Sequence, residues 1–164
     1  MPLQVDDEVP AMNKVCLALL AACSAWSPVM AQAPRPMLEY SSAATIRDGC
    51  LGWAKEHNLT VAVAVYDESG RLLAFAHMDG AASAVAEFAQ WKGRSAATIH
   101  VASSETANWG KGPPGLATWE GGLPIFSANG VALGGVGVSG AESSEDVACG
   151  RAGIAAAGLK EAAK

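Results

Sequence analysis

Two apolar runs, each followed by a polar turn and a second apolar run, dominate the hydrophobic pattern of the chain. In the first, residues 60–66 are apolar throughout their centre, which predicts a strand buried on both faces. The turn at residues 67–70 ends in glycine, which tolerates positive φ, and residues 71–77 form the return strand. The pattern predicts a β-hairpin that ends at a His-Met-Asp-Gly corner, residues 77–80.

A second hairpin is predicted near the C-terminus, with strands at residues 123–127 and 131–138. The dipeptide Asn129-Gly130 lies between them, and Asn-Gly between apolar runs is the strongest short-range hairpin signal. The return strand is rich in glycine, which indicates a bulge or the close approach of another group. These glycines are Gly134, Gly135 and Gly137.

Three segments have helical periodicity: residues 41 or 42 to about 57, about 83–101, and 143 or 144 to 164. The resulting order is α-β-β-α-β-β-α. Two hairpins with helices on the faces of their sheet predict an antiparallel sheet in an α+β domain. Residues 102–122 have no clear period, which predicts either a ligand-binding loop or a surface segment packed by its own tryptophans.

The first 33 residues have the pattern of an upstream extension followed by a secretory signal peptide. Met12 opens a charged segment, residues 15–25 are apolar, and Ala31-Gln32-Ala33 is a typical cleavage site. The apolar run is too short to span a bilayer. We therefore expect export to the periplasm or the medium, with a single mature domain at 34–164. Lipidation at Cys23 and a buried N-terminal helix are the alternatives.

Composition narrows the class of protein. Hydrophobic residues make up 51% of the chain and charged residues 16%, which is opposite to the balance of a disordered chain. The net charge is -5 without a run of Lys or Arg, which argues against a nucleic-acid surface. The predicted mature chain keeps Cys50 and Cys149, which either form a disulfide or remain buried free thiols. Neither cysteine belongs to a zinc motif.

The sequence Gly-Val-Gly-Val-Ser-Gly at residues 135–140 matches a dinucleotide fingerprint in letters only. We reject that interpretation because the fingerprint belongs to the first unit of a larger parallel sheet. A glycine turn before a helix can still offer backbone N–H groups to an anion. Ser139 is not a nucleophile elbow, because Ala141 stands where that motif needs glycine.

The three histidines are His57, His77 and His100. None forms the H-x-x-x-H pair of zinc proteases. A single histidine can serve as an axial ligand of haem iron, and His77 stands beside Met78 at the end of the first hairpin, where a ligand could bind.

Several stretches together resemble the GlcG/HbpS family of haem-binding and suspected haem-degrading domains, which also occur fused to the corrinoid adenosyltransferase PduO. The resemblance covers about residues 43–159. The matching stretches are residues 61–81, the Ala-rich helix with Lys92, Pro114-Gly115-Leu116, residues 121–125, and residues 134–140 with Asp146. The resemblance implies a profilin-like antiparallel sheet flanked by helices, assembly into homo-oligomers, and a haem pocket. The family often has arginine where His77 stands.

The first functional hypothesis is therefore an exported protein that binds haem or another tetrapyrrole. His77 or His57 would approach the iron, and Trp109 or Trp119 would stack on the ring. Lys92 or Arg94 would meet a propionate. The glycines Gly135, Gly137 and Gly140 would line the pocket.

The alternative is an enzyme or accessory subunit of a small-molecule pathway, such as hydroxy-acid oxidation. The glycine turn would then bind a carboxylate, with Asp79 or Glu120 as the base. A third interpretation is an oligomeric scaffold. The sequence leaves open whether the protein catalyses a reaction.

Overall fold

The structure, a computed structural model, describes residues 33–110 and 112–163. The predicted signal peptide and the lipidation site Cys23 lie outside the described residues. The folded unit starts at Pro36. Its elements, in order, are α1 (Tyr40–Glu56), β1 (Ala62–Asp67), β2 (Leu72–His77), α2 (Val85–Ile99), α3 (Ser103–Thr106), β3 (Gly122–Phe126), β4 (Ala132–Ser139) and α4 (Ser143–Ala156). A 3₁₀ helix, Ala107–Trp109, follows α3.

The four strands form one antiparallel sheet in the order β2-β1-β4-β3. The hairpins β1–β2 and β3–β4 meet through β1 and β4, with Val63 opposite Val138. The predicted α+β class and the antiparallel sheet are therefore confirmed. None of the helices within the described ranges is long and apolar enough to cross a membrane.

The side chains of β1 and β4 alternate between large and small, which gives the sheet two different faces. One face carries the valines of both strands and packs against α1 and α4. The other, which we call the small-residue face although it ends in Tyr66, carries Ala62 and Ala64 and packs against α2. Every residue of β1 is buried as a result, as predicted for a strand covered on both faces.

Glycines allow α2 to lie directly on β4. A Cβ atom at Gly135 would collide with the backbone of Ala97, and one at Gly137 with the backbone of Ala89 and Gly93. The glycine-rich strand predicts the close approach of another group, and that group is helix α2 of the same domain.

Two helices end earlier than the sequence predicts. Helix α2 stops at Ile99 because His100 adopts the left-handed conformation, with φ 61°. Helix α4 stops at Ala156, and Gly158 then turns the chain with φ 68°. Lys160 pairs with Phe126 through two backbone hydrogen bonds of 2.8 and 3.0 Å, so the C-terminal residues extend the sheet edge rather than the helix.

Buried hydroxyl groups hold the long connection between α2 and β3 in place. Ser95 Oγ accepts a hydrogen bond from Ala117 N at 2.8 Å, and Ser103 Oγ accepts one from Gly122 N at 2.9 Å. The hydroxyl of Thr106 donates to the carbonyl of Ala117. The second half of this segment is thus anchored to the domain.

A disulfide between Cys50 and Cys149 joins α1 to α4 on the valine face of the sheet. Both residues are fully buried. The bond closes a loop with a sequence separation of 99 residues, and long closed loops restrict the unfolded chain most. Of the two states that the sequence left open, the structure contains the disulfide.

We expect the double variant Cys50→Ala/Cys149→Ala to lose about 2–5 kcal/mol of unfolding free energy, because the unfolded chain is no longer cross-linked. Urea denaturation followed by circular dichroism measures the loss. Dithiothreitol should lower the midpoint of the wild-type protein and leave that of the double variant unchanged. A wild-type midpoint that is indifferent to the reductant would contradict the assignment.

Candidate functional site

A cavity of about 340 Å³ lies where the end of β2 meets α1. Its lining combines a cation, an imidazole, a carboxylate and a thioether with two aliphatic side chains. Leu51 and Lys55 contribute from α1, and because they are four residues apart they share one face of that helix. The remaining lining residues are Ala76, His77, Met78 and Asp79.

A tight turn after β2 shapes the second wall of this cavity. Met78 N donates to Val61 O at 3.0 Å, one residue beyond the ends of the two strands, and Ala81 N donates to Met78 O at 3.1 Å. Gly80 has a φ of 86°, a value that favours glycine at this position of a turn. The turn therefore places His77, Met78 and Asp79 together at one corner, as the sequence predicts.

His77 remains exposed because α2 does not cover the edge strand. It pairs with Ala62 of β1, and Phe75 pairs with Ala64, so both belong to the small-residue face. Phe75 is 37% exposed. The Nε2 atom of His77 lies 3.2 Å from the carbonyl oxygen of Ala82. Since a carbonyl only accepts, that nitrogen carries the proton and Nδ1 keeps its lone pair.

His57 lies elsewhere, just after the last residue of α1. Its Nδ1 donates to the carbonyl oxygen of Trp53 at 2.8 Å, and its ring stacks on Trp53 with centroids 3.8 Å apart. These contacts fix the ring and leave Nε2 with a lone pair. His57 does not line the cavity of His77, so the structure separates the two histidines that the sequence proposes as iron ligands.

Lys92 is buried inside the domain, where it forms an ion pair with Asp146. Its Nζ lies 2.9 Å from Asp146 Oδ2, 3.0 Å from Val138 O and 3.3 Å from Ser139 Oγ. These acceptors use the three protons of the ammonium group. Burial raises the pKa of Asp146 above its ordinary value, and the Lys92 ammonium group opposes this rise. The pair links α2 to the end of β4 and the start of α4.

At the glycine turn that precedes α4, carboxylates of the protein itself accept hydrogen bonds from the backbone. Asp146 Oδ1 accepts a hydrogen bond from Ala141 N at 3.2 Å, and Glu145 Oε2 accepts one from Glu142 N at 3.2 Å. Glu142 and Glu145 form a reciprocal capping box. Two of the backbone N–H groups at this turn, those of Ala141 and Glu142, are thus satisfied within the domain. Gly135, Gly137 and Gly140 face backbone atoms of the domain.

The two tryptophans that the sequence proposes to stack on a porphyrin, Trp109 and Trp119, do not line the cavity of His77. Trp109 ends the 3₁₀ helix and is 54% exposed. Trp119 contacts Phe88 and Trp91 of α2 edge to face, with ring centroids 5.1 and 5.9 Å apart. Arg94 lines a different cavity, beside the Pro113–Pro114 segment.

Sequence reasoning missed Lys55 and Leu51. Their i, i+4 spacing on a predicted helix was the only available signal, and nothing in it indicates that this face of α1 meets the end of β2. Among the described residues, no group of three or more His, Cys, Asp or Glu side chains could hold a metal ion.

Taken together, these features define an α+β domain with an open cavity at the end of an edge strand. The family model for "Haem degrading protein HbpS-like" matches residues 38–155. The chain therefore belongs to the HbpS-like family, which confirms the family resemblance seen in the sequence.

Solved structures of related proteins have the same fold. HbpS superposes with a TM-score of 0.72 at 29% identity, covering 79% of this chain and 96% of that chain. A double mutant of HbpS from Streptomyces reticuli gives 0.70 at 29% identity, covering 79% and 95%. The complex of PduOC with haem gives 0.70 at 20% identity, covering 77% and 99%, and this last similarity shows the fold alone. No curated protein matches the chain.

We expect Lys92→Met to lower the free energy of unfolding by about 3–5 kcal/mol at pH 7, because it leaves the Asp146 carboxylate buried without a partner. Without the Lys92 ammonium group, the pKa of Asp146 in the folded state should rise further above its value in the unfolded chain than it does in the wild type. As the pH falls, the folded variant therefore takes up a proton on Asp146 before the unfolded chain does. The loss should therefore shrink as the pH falls from 7 toward 5. Urea denaturation at both pH values measures it.

The exposed Lys55→Met is the matched control and should change stability by about 0.5 kcal/mol or less. If Lys92→Met lost the same unfolding free energy at pH 5 as at pH 7, the explanation by a buried carboxylate without a cation beside it would be wrong.

Proposed function

We propose that this protein binds haem at the cavity between α1 and the end of β2, with His77 as the iron ligand. The observation that carries the proposal is the presence of His77, Lys55 and an apolar wall in one cavity. Imidazole is a common axial ligand of haem iron. Membership of the HbpS-like family and the haem complex of PduOC support the choice of ligand.

The chemistry of the lining fits the parts of haem. Leu51, Ala76 and Met78 offer apolar surface to the porphyrin ring, and the Lys55 ammonium group can meet a propionate. His77 is exposed and held by one hydrogen bond of 3.2 Å from Nε2 to Ala82 O, so its other ring nitrogen, Nδ1, would face the iron. Haem bound here would supply a redox-active iron, and the residues of this chain would orient it.

The cavity is open and small, so it receives part of the ring instead of enclosing it. Its volume of about 340 Å³ is near the lower end of the range for ligand pockets, about 300–1,000 Å³. Haem held in this cavity would therefore keep one side toward solvent. This arrangement suits reversible binding and transfer better than permanent retention.

Titration of the protein with micromolar haem tests the proposal, with the Soret band as the readout. We expect His77→Ala to weaken binding roughly tenfold or more, because it removes the iron ligand. Lys55→Gln should weaken binding about two- to fivefold, as expected for an exposed ion pair. His57→Ala is the matched control, since His57 is exposed and outside the cavity, and it should bind haem as the wild type does.

Two results would overturn the site. Loss of the Soret shift in His57→Ala but not in His77→Ala would move the iron ligand to His57. A shift that persists in both variants and in His100→Ala would show that no histidine of this chain ligates the iron.

We also infer that the protein is exported. The disulfide between Cys50 and Cys149 supports this, because structural disulfides persist in oxidising compartments. Fractionation of cells and intact mass measurement test the inference. The expected species is extracytoplasmic and begins at Pro34, whereas retention of residues 13–33 would contradict the inference.

A further inference from the structure

A second cavity, of about 280 Å³, lies between α2 and the connection that leads to β3. It shares no lining residue with the cavity of His77. Helix α2 covers the small-residue face of the sheet, whereas α1 covers the valine face. The second cavity is lined by Arg94, Ser95, Thr98, Ile99, Pro113, Pro114, Gly115 and Leu116.

Arg94 is the only charged side chain among these lining residues. The ion pairs of the described residues involve Arg47, Arg71, Lys92 and Arg151, and none of them involves Arg94. Its guanidinium group therefore keeps N–H donors for a ligand. Arginine presents these donors as a planar fork that matches a carboxylate.

The rest of the cavity is apolar or neutral. Ile99, Pro113, Pro114 and Leu116 supply aliphatic surface, and among the described residues no carboxylate lines the cavity to repel an anion. A ligand held here would gain from an apolar body as well as from its charge.

Part of the wall is held in place before any ligand binds. Leu116 is 7% exposed and Ala117 is fully buried. Ala117 N donates to Ser95 Oγ at 2.8 Å, and Ala117 O accepts from Thr106. Because Ser95 also lines the cavity, these bonds fix the distance between α2 and the loop. A wall held in this way reduces the ordering cost of binding.

We propose that this second cavity binds a small organic monocarboxylate with an apolar body, whose carboxylate pairs with Arg94. Among the described residues, Arg94 is the one cation of the cavity and has no ion pair. A single positive charge balances a single negative charge, so a monoanion fits better than a phosphate dianion. The volume lies below the range of drug-sized ligand sites, about 300–1,000 Å³, which restricts the ligand to a small molecule. The site is independent of the haem site and extends the protein to a second ligand class.

The test uses benzoate as the probe and benzamide as its neutral counterpart of the same shape. In ¹⁵N-labelled protein, benzoate should shift the backbone amide signals of Ser95, Thr98, Gly115 and Leu116 in a saturable way. Benzamide should bind about tenfold more weakly, because it cannot form the charge-assisted pair. Signals of His77 and Asp79 should not move.

Variants separate this proposal from the haem proposal. Arg94→Gln should weaken benzoate binding about tenfold and leave the haem titration unchanged. The affinity of Arg94→Lys for benzoate should lie between those of the wild type and Arg94→Gln, because lysine keeps the charge without the planar fork of donors. Lys55→Gln should do the reverse, weakening haem and sparing benzoate. All of these side chains are exposed, so the variants should remain folded.

The proposal would be overturned if benzoate moved no signal around Arg94. It would also be overturned if the Arg94→Gln variant bound benzoate as tightly as the wild type does, or if the wild type bound benzamide as tightly as benzoate. Equal binding of benzamide would show an unselective apolar pocket. Benzoate shifts confined to His77 and Asp79 would assign the anion to the other cavity.

Discussion

The alternation of large and small residues on the two central strands is the constraint on which the rest of the structure depends. Valines on one face of β1 and β4 require two helices to cover them, and α1 and α4 do so. Alanine and glycine on the other face let a single helix, α2, lie close to the sheet backbone. Because one helix covers only part of that face, edge strand β2 stays partly open, and His77 lies at its end.

Two specific bonds hold the helices against these faces. The disulfide joins α1 to α4 on the valine face, and the buried pair of Lys92 and Asp146 joins α2 to the start of α4 on the other side. The pair is costly to break because either partner would remain as a buried, unpaired charge. Lys92, which the sequence suggests as a propionate ligand, thus has a clear structural partner within the domain.

The two cavities follow from what the helices leave uncovered. The first lies beside α1 at the corner after β2, and combines an imidazole with a cation and apolar surface. The second lies beside α2 under the anchored loop and contains the guanidinium group of Arg94, which forms no ion pair within the part of the chain that the structure describes. Their lining chemistries differ, which is why we assign a porphyrin to the first and a small monocarboxylate to the second.

The sequence predicted the local structure well, because its strand and turn signals depend on near neighbours. The hairpin with Gly70, the Asn129-Gly130 turn and the corner at residues 77–80 all need only the conformational preferences of their own residues. The order of elements and the family also followed from it. The ends of α2 and α4 were less clear, because the left-handed conformation of His100 and the pairing of Lys160 with Phe126 have no strong local signal.

Which side chains share a site was decided by the tertiary structure alone. Lys55 and His77 line one cavity only because α1 packs beside the end of β2, and Lys92 meets Asp146 across 54 positions of sequence. Likewise, helix α2 packs against Gly135 and Gly137, where the sequence also allowed a ligand to approach. The sequence by itself determined the strands, turns and two-sided burial, whereas contacts between distant elements, set by helix packing, decided the partners of each charged group.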